Sequence, residues 1–175
     1  MKNRFVAYTT ACFSVFLLLT AIPLSAITVG VEGQPFTQDG IQWQPVYIQD
    51  DDTDLQAALP GKPTTGMSKG WLWVASQFQG SIYEIKTPVW GYVPPATLDE
   101  LLNQVQPLLP EGTSISTLES TQPAVKFVLE CHIQQGGPPR ILRIYTTETR
   151  FYIALVQDGS FAFSDPFFGT INILK

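Results

Sequence analysis

Cys131 and His132 are the residue types in this chain best suited to nucleophilic chemistry, a thiolate to attack and an imidazole to take its proton. They are adjacent in Val125–Gln134, where Val125, Phe127, Leu129, Cys131 and Ile133 alternate with Lys126, Glu130 and His132. A period of two is a strand, and neighbours in a strand point to opposite faces. A nucleophile and base placed that way cannot share a hydrogen bond. The pair therefore reads as a core cysteine, behaving as a small hydrophobe, beside a solvent-facing histidine. His132 is the only histidine, so acid–base catalysis has one candidate and no obvious partner. A zinc site of the usual cysteine and histidine ligands cannot be assembled around it.

Asp50, Asp52 and Asp54 have the alternate spacing with which a calcium loop opens. Counted from Asp50, however, the sixth position is Leu55 where the loop needs glycine, and the twelfth is Gly61 where it needs a bidentate glutamate. A solvated acidic turn is the better reading. The 15 acids single out no pair for glycoside cleavage. There is no Gly-x-Ser-x-Gly elbow and no glycine-rich phosphate loop after a strand. The expectation is no catalytic, metal or cofactor-binding residue, and no enzyme. Aromatic residues remain. Trp71, Trp73 and Tyr83 fall in strands and are expected to pack under the helix or across strands. Trp90 and Tyr92 lie in the proline-rich connection Thr87–Pro95 and are harder to bury. They are the candidate contact surface for a protein or glycan partner.

The elements that would carry these residues come in a simple order. Ile27–Gly40 has little periodicity and reads as an extended arm. Ile41–Gln49 alternates as a strand, and Pro45 argues that it lies at a sheet edge. Leu55–Leu59 is a short apolar piece stopped by Pro60-Gly61-Lys62-Pro63, and Thr64–Gly70 reads as a loop. Trp71–Gln77 and Ser81–Lys86 form a hairpin about Gln79-Gly80. Thr97 with Glu100 is a capping box ahead of an apolar stripe, Leu98, Leu101, Leu102, Val105, Leu108 and Leu109. Pro107 should end the regular helix near Gln106. Ile115–Leu118, Val125–Gln134, Ile141–Thr147 and Phe151–Gln157 follow as strands. A helical turn at Ser164–Phe168 and a last strand at Thr170–Leu174 close the chain. Strands, helix, strands predicts a two-layer α+β domain. It would have a mainly antiparallel sheet of about six strands, with one principal helix and a short C-terminal helical turn packed on it.

Lys2 and Arg4, the apolar run Ala11–Ile22 and the end Pro23-Leu24-Ser25-Ala26 have the layout of a secretory signal peptide cleaved after Ala26. The apolar core is shorter than the roughly 20 residues of a bilayer span. No stable membrane span is expected after cleavage, although an uncut leader would serve as an anchor. Removing residues 1–26 takes the basic count from 10 to 8 against 15 acids, a net charge near −7. That balance argues against nucleic acid as a partner. It also leaves Cys131 as the lone cysteine, without an internal disulfide.

Leu55–Pro63, with its Pro-Gly-x-Pro turn, resembles the start of a diffuse group of small exported bacterial domains. Arg143-Ile144-Tyr145, Arg150-Phe151-Tyr152 and Phe167-Phe168 with Ile171 resemble that group's ending. The group is similar in fold to the PsbP-like extrinsic proteins of photosystem II, and the likeness covers roughly residues 53 to 174. With the segments read above, the chain divides into a signal peptide at 1–26, an N-terminal arm and edge strand at 27–52, and, as the resemblance implies, a PsbP-like α+β domain at 53–175. The resemblance also implies an accessory or binding protein, as most members of that superfamily are. The expectation is a secreted or periplasmic monomer that meets an envelope protein or glycan. The alternative is an envelope hydrolase with an unrecognised carboxylate or serine site.

Overall fold

The computed structural model describes residues 27–89, 93–157 and 163–174. The elements in chain order are β1 (Thr28–Val31), β2 (Phe36–Gln38), β3 (Ile41–Gln49), β4 (Asp54–Pro60), β5 (Thr64–Ser68), β6 (Trp71–Phe78) and β7 (Ser81–Pro88). Next come α1 (Leu98–Val105), β8 (Ser114–Leu118), β9 (Phe127–Ile133), β10 (Arg140–Thr146), β11 (Phe151–Gln157), α2 (Ser164–Gly169) and β12 (Asn172–Leu174). Five strands form one sheet in the order β1-β3-β4-β12, with β2 also on β3. Seven form the other, β5-β6-β7-β11-β10-β9-β8. Every pairing is antiparallel.

The molecule is therefore mostly β, with two sheets, and not the expected α+β domain with one sheet of about six strands. The difference has a physical source. All three residues of β2 are exposed, and four of the five in β5. A strand that buries no face carries no period-two signal, so these segments read as arm and loop. Their hairpins are set instead by turn geometry. Asp39, Lys69 and Gln79 have φ of 52°, 51° and 49°, and each precedes a glycine of positive φ in a two-residue connection. Two positive φ values in succession are the turn that matches the twist of paired strands.

β3 was expected at an edge and is interior, with β1 and β2 on one side and β4 on the other. Pro45 is tolerated there because of a gap. β1 pairs with residues 46–49 and β2 with residues 41–43, so the missing amide of Pro45 faces neither ladder. Its carbonyl still accepts from the Glu32 amide at 3.1 Å.

One apolar core lies between the sheets, built from Ile48, Leu55 and Leu59 against Val74, Ile85 and Val156, with Phe167 of α2 among them. A second lies on the far face of the seven-stranded sheet, where Leu129, Cys131, Ile133, Leu142 and Ile144 pack with Leu101 of α1. That helix forms as its sequence dictates. The Thr97 hydroxyl accepts from the Glu100 amide at 3.2 Å, and the Glu100 carboxylate accepts from the Ala96 amide at 2.7 Å. Leu101 is its one buried side chain, and Pro107 converts the end to a 3-10 turn, Gln106–Leu108. No helix among the described residues is long and apolar enough to cross a membrane.

Candidate functional site

Helix α1 gathers residues of β8–β11 beneath it, while the same face of β5–β6–β7 carries a hollow of about 730 Å³. Strand parity puts Trp71, Trp73, Ala75 and Gln77 of β6 on this face, with Ile82, Glu84 and Lys86 from β7 and Thr64 and Ser68 from β5. The register sets Trp73 between Gly66 and Lys86, and Ala75 between Thr64 and Glu84. Both tryptophans are half-buried.

Each indole is fixed by a neighbour. The Trp73 ring sits against Gly66, where a methyl group would come within 2.8 Å of Cε2 and closer still to Cζ2. With the ring there, a side chain at position 66 would force it to move, so the indole is seated against the Gly66 backbone. Trp71 meets Phe151 edge to face, with centroids 5.5 Å apart and planes at 89°. The Lys86 ammonium stands 5.5 Å from the Trp71 ring centre and 3.2 Å from Glu84 Oε1. The hollow thus combines pre-positioned flat apolar surface with hydroxyl, amide and charged groups. Thr64, Gln77 and Glu84 supply hydrogen-bonding capacity on the same face. Such a surface can hold an amphipathic ligand. The sequence placed Trp71 and Trp73 in a strand, expected to pack under the helix or across strands. It carried no signal that α1 lands at the other end of the sheet.

Trp90 and Tyr92, the candidate contact surface, lie outside the described residues. Cys131 is buried in the α1 core, and its thiol is pushed up to about 11 by burial, with a smaller push from the Glu130 charge. We expect it to react with a soluble maleimide at least about a hundredfold more slowly in the native protein than in denaturant at pH 8, because burial removes both the thiolate and access to it. Stopped-flow labelling measures the ratio. Equal rates would place the thiol at the surface.

His132 is on the opposite face, as strand parity requires, and its Nε2 is 2.9 Å from Glu130 Oε1. Glu130 Oε2 accepts from Arg143 Nε at 2.6 Å, and the Arg143 guanidinium covers the Phe168 ring at 4.3 Å. Burial raises the Glu130 pKa, but the bonds from His132 and Arg143 outweigh it and hold the carboxyl below its usual value. The alternation of β9 foretold the faces. It could not foretell that β10 brings Arg143 opposite Glu130.

The acidic turn is not simply solvated. Asp50 Oδ1 accepts from the amides of Asp52 at 2.8 Å and Thr53 at 2.7 Å, and Oδ2 accepts from Arg150 Nε. Arg150 in turn donates to the Pro88 carbonyl at 3.1 Å, and the Thr53 hydroxyl lies 2.8 Å from the Tyr152 hydroxyl. The Asp50 side chain is 3% exposed. It clamps the β3–β4 turn of one sheet to the β10–β11 turn of the other. Its oxygens are committed to structure.

No family model matches the chain, and no solved structure matches it. Neither comparison bears on the PsbP-like resemblance.

Proposed function

We propose that this chain is an exported, monomeric binding protein of the bacterial cell envelope that holds a saccharide in the Trp71–Trp73 hollow. The observation that carries the reading is Trp73 seated on Gly66, with polar side chains of β5, β6 and β7 around it. A sugar ring has an apolar face of C–H bonds and a rim of hydroxyls. It matches a flat indole bordered by hydrogen-bonding groups better than a purely apolar ligand does. Among the described residues Glu84 is the one acid lining the hollow, and it is paired with Lys86. That favours holding a ligand over cleaving one, since cleavage needs two carboxylates across the bond.

The test is calorimetric titration with neutral oligosaccharides of varied linkage. Trp73→Ala should weaken binding at least tenfold, the loss expected when about 1.4 kcal/mol of stacking is removed. Gly66→Ala should weaken it as well, by displacing the ring without deleting it. Both variants should keep a cooperative thermal transition. Unchanged affinity in Trp73→Ala would sink the proposal.

A further inference from the structure

We infer that the ligand of this hollow is an anionic saccharide, a chain of carboxylate-bearing sugars. The inference rests on the saccharide reading above and adds a charge requirement to it. Lys62, Lys69 and Lys86 line the hollow, against Glu84 alone. In a chain whose acids outnumber its bases by 15 to 10, this is a local reversal of sign. Glu84 is matched by Lys86 at 3.2 Å. Among the described ion pairs, neither Lys62 nor Lys69 has an acidic partner.

The two lysines bracket β5, and both are placed by the backbone. Lys69 occupies a turn position with φ of 51°, where Asn, Asp or Gly is ordinarily preferred. Lysine is a poor choice for the turn itself and a good one for putting an ammonium at the mouth of the hollow. Lys62 follows Gly61, whose positive φ of 78° and amide bond to the Gln42 carbonyl at 3.0 Å fix the start of β5. The five residues of β5 lie between the lysines and span roughly 15 Å. The tryptophans lie between them. Cations at both ends of an aromatic floor fit an extended polyanion carrying a charge on each ring, while a neutral chain would leave both unused. Exposed lysines bind carboxylates weakly one at a time and depend on salt. Selectivity therefore requires both.

The experiment compares matched tetramers: mannose with mannuronate, glucose with glucuronate, and galactose with galacturonate, each pair in one linkage. Isothermal titration at 20 mM and 1 M salt reads the affinities. At least one uronate should bind about tenfold tighter than its neutral partner at low salt, with the gap closing at high salt. Lys62→Gln/Lys69→Gln should abolish the gap and leave neutral affinity intact, whereas Trp73→Ala should weaken both partners. Equal binding of matched partners overturns the charge requirement and leaves the saccharide reading standing. Binding of none of the tetramers overturns both. An acidic peptide of four glutamates that binds as tightly as the best uronate shows a surface selecting charge alone, and overturns the inference as well.

Discussion

Asp50→Ala lowers the unfolding free energy by about 3 kcal/mol, measured by urea denaturation at pH 7. The estimate is the lower part of the range for breaking a buried ion pair, because Arg150 is left without its carboxylate but is 17% exposed. The pH dependence of the same site has a definite sign. Burial raises the Asp50 pKa, yet the Thr53 and Asp52 amides and the Arg150 guanidinium outweigh it, so the folded value lies below the unfolded one. Such a group stabilises the protein above its unfolded pKa of about 4, and that stability is lost as pH falls through the folded value. Glu130 acts in the same direction. The wild type should therefore lose stability steeply below about pH 4. Asp50→Asn should be less stable at pH 7 and show a shallower acid limb. An Asp50→Asn protein as stable as wild type at pH 7 would contradict the clamp.

Phe167→Ala costs about 4 kcal/mol, within the range for deleting a buried aromatic ring. Phe167 is fully buried on α2. Its ring meets Tyr83 edge to face at 5.5 Å and Phe168 at 5.2 Å, so the loss combines a cavity with broken ring contacts. A domain of this size has about 5–15 kcal/mol in total, so the variant should stand near the edge of folding. Leu108→Ala makes the contrast, since Leu108 is 82% exposed and its removal should change stability by less than about 0.5 kcal/mol. The same denaturation curves test both. Similar midpoints for the two variants would show that α2 does not plug the core between the sheets.

What the sequence made legible was local. The Thr97–Glu100 cap, the Gln79-Gly80 hairpin and the alternation of β9, β10 and β11 each depend on residues within a few positions of one another, and all appear in the structure. The second sheet was not legible, because β12 joins β4 across more than a hundred residues and no periodicity encodes that partner. Thr64–Gly70 was misread because β5 buries almost nothing, and its pairing with β6 comes from a two-residue turn. The Asp50 clamp was hidden for the same reason as β12: Arg150 lies 100 positions away. The candidate site was half legible. Trp71 and Trp73 were read as strand residues packed under the helix or across strands, but the helix covers β9 and β10 and leaves both lining a hollow.

The β4–β12 pairing also governs when this chain can fold. Ile173 sits opposite Leu55, and β7 finds its partner β11 only after α1 and three further strands have been made. Neither sheet is complete until strands far apart in the sequence have met. Topologies dominated by such distant contacts fold slowly, on the order of milliseconds to seconds for all-β domains. Pairing of β12 with β4 is the long-range step that completes the edge of the five-stranded sheet.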